Sequence, residues 1–115
     1  MQFTTTIKSN NEFHRLYAKG KSVVTPTLVL YMRRNKNGAS RVGYTVTTKL
    51  GHAVVRNRIR RRLREIYRLH ETEICEGASL VVVARGRAVN ARYAALEKDF
   101  LFACGKLGLR KDAAE

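Results

Sequence analysis

The run VVRNRIRRRLREIYRLH, from Val54 to His70, gathers seven arginines: Arg56, Arg58, Arg60, Arg61, Arg62, Arg64 and Arg68. A guanidinium is a planar fork whose N–H groups match the oxygens of a phosphate two at a time. The chemistry on offer is therefore the gripping of a polyanion, not the breaking of a bond. Val55, Ile59, Leu63, Ile66 and Tyr67 recur at helical spacing and form one apolar stripe. At about 100° per residue, Arg58, Arg61, Arg64 and Arg68 fall away from that stripe. Glu65 is the one acid in the run and cannot neutralise the face. A solvated basic face is the bland reading. Crowded like charges destabilise a helix, however, unless a polyanion compensates them.

Other chemistries find little support. The chain has nine acids, spread without motif-like spacing, whereas metal-assisted phosphodiester hydrolysis calls for clustered carboxylates. His14, His52 and His70 fall in three separate predicted elements, so no histidine pair is indicated for acid–base work. A lone loop histidine such as His52 is more often neither ligand nor base. Cys75 and Cys104 lie in no CxxC or Cys/His cluster, which argues against zinc. No catalytic residue and no protein-bound metal are expected. The formal net charge of +14 and a pI near 10.6 are the footprint of a nucleic-acid partner.

The 115 residues suit one RNA-binding domain spanning 1–115 with one modest core. A hydrophobic fraction of 44% argues against disorder. No apolar run approaches the roughly 18 residues of a membrane span, so no membrane partner is expected. The opening MQFTTTIKSNNEF lacks a signal peptide's apolar centre. A cytoplasmic location with reduced thiols follows as the expectation.

The positioning elements can be read in order. Ser9 with Glu12 forms a capping box that opens a helix, and Gly20 stops it. Phe13, Leu16 and Tyr17 share one side of that helix. The two aromatics are either core or a ledge for stacking, and spacing leaves both open. Ser22 to Arg34 reads as extended, with Pro26 suiting an edge or a strand start. Leu28, Leu30 and Met32 alternate with Val29, Tyr31 and Arg33. Asn37-Gly38 signals a hairpin turn, with Arg41 to Thr47 as the returning strand. There Val42, Tyr44 and Val46 alternate with Arg41, Gly43, Thr45 and Thr47. Tyr31, Thr45 and Thr47 thus share the non-aliphatic face, which is either an open groove or an ordinary solvent face.

Thr48 to Ala53 is a loop feeding the arginine helix. Gly77 marks a break, and Leu80 to Ala84 reads as a buried central strand. Asn90 caps a last helix whose stripe is Tyr93, Leu96, Phe100, Ala103 and Leu107; Gly108 ends it, and Leu109 to Glu115 is a frayed tail. The fold class is α+β, a single small domain in αβββαβα order with a mixed sheet covered by helices. The stretch Val42 to Arg85 forms a strand–helix–strand crossover, which general principle makes right-handed in about 98% of cases.

The run Leu50-Gly51-His52-Ala53-Val54-Val55-Arg56-Asn57-Arg58-Ile59-Arg60-Arg61, continuing to Leu63 and Arg64, resembles the signature of the bacterial ribonuclease P protein subunit. It includes that family's RNR motif, here Arg56, Asn57 and Arg58. The preceding RVGYTVTTKLG, the Phe13, Tyr17, Gly20, Lys21 pattern and LVLYMR around Tyr31 are similar to the family as well. The resemblance spans roughly Phe13 to Gly86. Thr48, where relatives often have lysine, and His52, where asparagine is common, depart from it.

The resemblance implies that a large catalytic RNA subunit performs Mg²⁺-dependent removal of the 5′ leader from precursor tRNA. The Mg²⁺ would be held mainly by RNA, and the protein would be non-catalytic on its own. It implies that Arg56, Arg58, Arg60, Arg61 and Arg64 face the catalytic RNA. Phe13, Tyr17, Tyr31, Thr45, Thr47, Lys49 and Asn57 would line a cleft for the leader. It also implies a left-handed crossover through the arginine helix, against the general rule. Three readings compete. A structural RNA-binding protein such as a ribosomal component explains the charge but not an aromatic and hydroxyl groove. A metal-dependent nuclease lacks its carboxylates. A DNA-binding helix in a major groove fits arginines facing several directions less well than a folded RNA does.

Overall fold

The computed structural model describes residues 4–35, 38 and 40–110. Five strands form one mixed sheet: β1 (Thr4–Thr6), β2 (Lys21–Val24), β3 (Leu28–Arg34), β4 (Ser40–Thr45) and β5 (Ala78–Ala84). Three helices accompany it: α1 (Asn10–Lys19), α2 (Ala53–His70) and α3 (Tyr93–Lys106). The strands lie side by side in the order β1, β4, β5, β3, β2. β5 is antiparallel to β3 and parallel to β4. The apolar run Leu80 to Ala84 is thus the central strand, as its composition predicts, and nearly all of it is buried.

That placement corrects the predicted hairpin. β3 and β4 do not pair, because β5 lies between them. The two ends of the connection, Asn35 and Ser40, both contact Gly77 at the entry to β5. The Asn35 amide donates to the Gly77 carbonyl at 2.7 Å, and the Gly77 amide donates to Ser40 Oγ at 3.1 Å. Asn37 of the predicted turn lies outside the described residues, while Gly38 has φ +74°. A turn signal reports that the chain reverses, not which strand it then pairs with. The hairpin that does form is β2–β3. Its turn holds Pro26, and Thr27 ties it to α3 by donating from N and Oγ1 to Asp99 Oδ2.

Four further points differ from the sequence reading. β1 was not anticipated: Thr4 to Thr6 carry no apolar alternation, and the strand exists because it pairs in parallel with β4. Ser9 is the N-cap of α1 but makes no side-chain cap bond, and Glu12 turns away from the cap to the Arg41 guanidinium at 3.0 Å, a charge-assisted contact. The last helix starts at Tyr93 with Arg92 as N-cap, after a 3-10 turn over Gly86–Val89, so Asn90 does not cap it. Leu109 is fully buried and its carbonyl accepts the Cys75 amide at 2.6 Å, so it does not fray. Residues 111–115 of the expected tail lie outside the described residues.

The alternation in β3 and β4 sorts the two faces as read. Leu28, Leu30, Met32 and Val42 join the main core with Ile59, Leu63, Ile66 and Tyr67 of α2 and Leu96 and Phe100 of α3. The opposite face carries a small second core of Ile7, Leu16 and Val81, with Phe13, Tyr31 and Val83 packed against it. α1 supplies Leu16 and Phe13 and so crosses that face. Parallel β4 and β5 are joined through α2, the strand–helix–strand crossover expected between Val42 and Arg85.

The far end of α2 is locked to α3 through one histidine. His70 Nδ1 lies 2.6 Å from Glu73 Oε2, and Nε2 lies 2.8 Å from Glu97 Oε2. An ionised carboxylate only accepts, so two such partners favour the imidazolium, whose ring nitrogens both donate. Burial alone would lower its pKa, but the hydrogen bonds to Glu97 and Glu73 outweigh burial and raise it. The stabilisation is then complete below the ordinary imidazole value and is lost as pH rises through the elevated folded value. Glu97→Gln is expected to lower the His70 titration seen by NMR and to flatten the pH dependence of thermal stability in that window. A His70 titration unmoved by the substitution would contradict the clasp.

Candidate nucleic-acid interface

The apolar stripe of α2 docks on the sheet, with Ile59, Leu63, Ile66 and Tyr67 buried. Its arginines are thereby forced to the two flanks and the outer face. On one flank, Arg58 Nη2 donates to the Val89 carbonyl and Arg62 Nη1 to the Ala91 carbonyl, each at 3.2 Å. On the other, Arg60 Nη2 donates to the Val46 carbonyl and Nη1 to Asn57 Oδ1, each at 3.4 Å. Arg56 Nε donates to the Gly51 carbonyl at 3.2 Å. A guanidinium has five N–H groups, so a carbonyl contact orients the fork and leaves donors for an incoming oxygen.

The outer face differs in detail from the helical projection. Arg58 does not fall away from the stripe but lies half-buried on the flank. Arg68 points outward, and its Nε and Nη2 donate to Glu65 at 3.0 and 2.5 Å. This bidentate contact holds the Glu65 carboxyl below its ordinary value. Glu65 therefore neutralises one arginine only. Arg61 and Arg64 remain exposed, with no carboxylate partner among the described residues.

On the α1 face, strand register builds a groove. Tyr31, Val81 and Gly43 form one transverse row, and Val29, Val83 and Thr45 form the next. Tyr17 reaches down from α1. Its hydroxyl is hydrogen-bonded to Thr45 Oγ1 at 2.7 Å, and its ring meets Tyr31 edge-on with centroids 5.0 Å apart. The Phe13 ring follows at 6.4 Å from Tyr17. The open question about the two aromatics resolves by position. Phe13 is half-buried against the second core, whereas Tyr17 is 38% exposed. Alongside runs a cavity of about 340 Å³, walled by Phe13, His14, Tyr17, Thr45, Val46 and Arg60.

Arg60 thus stands in the wall of the groove rather than on the outer face of α2. Thr47 and Lys49 do not continue the strand. β4 ends at Thr45, and Thr47 caps a 3-10 turn over Thr48–Leu50, leaving Thr47 and Lys49 exposed on the path into α2. Asn57 is exposed one turn into α2 and touches Arg60. Two residues escaped the sequence reading. Arg62 is held like Arg58, and its nearness to the stripe was the available signal. Tyr44 alternates onto the core face, but its buried hydroxyl finds no hydrogen-bond partner among the described residues. Burial raises its pKa well above the phenol range, so it stays protonated. It sits between the groove and Arg64.

Forked cations, an exposed aromatic edge and hydroxyls are the parts needed to hold phosphates and stack bases. Among the described residues no three His, Cys, Asp or Glu side chains converge as metal ligands. No described helix is long and apolar enough to cross a membrane.

Comparison with known proteins gives one consistent family. The profile described as Ribonuclease P matches residues 1–108. A Ribonuclease P protein component from a Thermoanaerobacter species is 45% identical over 91 residues, spanning 79% of this chain and 78% of the relative. The one from Alkaliphilus oremlandii is 34% identical over 113 residues, spanning 98% and 99%. Among solved structures, the Staphylococcus aureus RNase P protein superposes with a TM-score of 0.84 at 32% identity, covering 92% of this chain and 97% of that one. The Thermotoga maritima RNase P protein gives 0.77 at 27% identity, covering 84% and 92%.

The groove depends on a missing side chain. A Cβ on Gly43 would stand 2.7 Å from the Phe13 ring. Gly43→Ala is expected to cost about 1–3 kcal/mol in urea denaturation, the range for overpacking. Adding Phe13→Leu should recover much of that loss, since contacting sites are not additive. Strict additivity would show that the ring does not rest on Gly43.

Proposed function

The chain belongs to the Ribonuclease P family, which implies a role in tRNA 5′ processing, and on that premise we propose how its surfaces divide the work. The outer and flanking arginines of α2, Arg56, Arg58, Arg61 and Arg64, hold the phosphates of the catalytic RNA subunit. The groove of Phe13, Tyr17, Tyr31 and Thr45 takes the unpaired 5′ leader of precursor tRNA, with Thr47, Lys49 and Asn57 at its rim. The observation that carries this reading is Arg60. It belongs to the basic helix by sequence, yet it forms a wall of the aromatic groove. One guanidinium is therefore shared by both surfaces, and the substrate strand is brought against the catalytic RNA there.

Chemistry is assigned to the RNA. In-line attack at phosphorus needs an activated water and stabilisation of the leaving oxygen, usually by metal ions. Among the described residues no three His, Cys, Asp or Glu side chains come together as ligands for such an ion. In this reading the Mg²⁺ that the holoenzyme requires is held mainly by RNA. The protein contributes positive charge, which lowers the repulsion between two RNAs. A cytoplasmic ribonucleoprotein is the setting this implies.

Two measurements test the division. Tyr17→Ala is expected to weaken precursor tRNA binding by about 1–3 kcal/mol, the worth of one stacked base, while mature tRNA binding stays unchanged. Equal weakening of both would remove the leader from the groove. Separately, precursor cleavage should require the RNA subunit. Correct 5′ cleavage by protein rigorously freed of RNA would refute a non-catalytic polypeptide.

A further inference from the structure

α1 divides the sheet face it crosses, and only one of the two resulting hollows has so far been given a role. Beyond the flank opposite Phe13 and Tyr17 lies a cavity of about 470 Å³, larger than the aromatic groove. Arg15 of α1, Arg33 and Arg34 of β3 and Arg41 of β4 line it, with Ser79 of β5 on its floor. Register explains the gathering. Arg33, Ser79 and Arg41 form the next transverse row of the sheet after Tyr31, Val81 and Gly43. The strand alternation that sends Tyr31 to the groove therefore sends Arg33 to this cleft, about 7 Å further along.

The cleft carries an excess of positive charge. Among the described residues its one lining acid is Glu12, which is committed to Arg41 at 3.0 Å. Asn35 Oδ1 accepts the Ser79 hydroxyl at 2.9 Å. Arg15 and Arg34 are exposed, and no carboxylate among the described residues pairs with Arg15, Arg33 or Arg34. Arg33 and Arg34 also border an adjoining hollow with Lys19 and Lys21, so the positive strip continues to the sheet edge. Like charges gathered in a concave site focus the field and favour an anion. The cleft has forked donors but no exposed aromatic ring among its lining residues, so it suits backbone phosphates rather than bases.

We propose that this arginine cleft, on the far side of α1 from the aromatic groove and on the opposite sheet face from α2, is a second site for RNA backbone phosphates. The proposal rests on the RNA-binding reading above. It adds a surface which that reading does not use. The phosphodiester can belong to the RNA subunit or to the precursor leader, and the experiment separates the two.

The test uses Arg15→Ala with Arg34→Ala, two exposed positions whose loss leaves the Glu12–Arg41 pair intact. Thermal melting checks the fold. Inorganic phosphate titrated into wild type is expected to shift the Arg33 and Arg41 Nε–H signals by NMR, and the shifts should shrink in the variant. Salt titrations then read the RNA. Each lost phosphate contact flattens the log–log slope by about 0.7 on single strands and about 0.9 on duplex. A flatter slope against the RNA subunit alone assigns the cleft to the subunit; one against precursor but not mature tRNA assigns it to the leader. Glu12→Gln should act oppositely and tighten phosphate binding. Slopes unchanged against both RNAs overturn the proposal, whatever phosphate does. If wild type itself fails to bind the RNA subunit and precursor tRNA, the underlying RNA-binding reading fails instead.

Discussion

Burial of Ile59, Leu63, Ile66 and Tyr67 beneath the sheet is the interaction on which the rest depends. Taking one such side chain out of water contributes roughly 1.5–3 kcal/mol. Repulsion between neighbouring like charges on a helix costs a few tenths of a kcal/mol per pair. Four buried anchors therefore outweigh the crowding of seven arginines in the run. The stripe fixes the roll of α2. The roll in turn decides which guanidinium groups reach backbone carbonyls and which stay at the surface. The helix is held in place by its apolar side, and its charge is left for a partner.

The second organising fact is that β5 occupies the middle of the sheet. It separates β3 from β4 and makes β4 and β5 parallel neighbours, so the chain must cross over through α2. The same strand lends Val81 to the floor under α1, Val83 to the aromatic groove and Ser79 to the arginine cleft. Period-two alternation along β3, β4 and β5 thus lays down successive rows of different chemistry on one face, and α1 lies across them as a divider. Gly43 permits this. Without a Cβ it lets Phe13 settle onto the sheet, and Phe13 sets the height at which Tyr17 meets Tyr31 and Thr45.

Arg60 shows why membership of a sequence motif is not enough to place a side chain. Its position groups it with the other arginines of α2, yet its guanidinium extends beneath the end of β4, to the Val46 carbonyl. Glu12 is a parallel case. Its spacing from Ser9 is that of a capping box, but a guanidinium from a distant strand offers a stronger contact than a backbone amide. Glu12 thus takes a tertiary partner where sequence spacing favours a local one, and Arg60 adds a tertiary partner, Val46, to its local one, Asn57.

The sequence by itself determined whatever rests on local periodicity and composition. That covers the arginine helix and its buried stripe, the face assignment of Tyr31 and Thr45, the central character of Leu80 to Ala84, the stop at Gly108 and the net positive charge. Each is set by neighbours within a turn or two, so spacing along the chain reports it. Tertiary structure alone decided that β5 separates β3 from β4, that Thr4 to Thr6 form a strand, that Thr47 leaves the sheet, and that Arg33 and Arg41 meet across Ser79. Those outcomes depend on which strand edge is available when the sheet closes. That is a contest between distant segments for the same hydrogen bonds and buried surface, and no local spacing records its result.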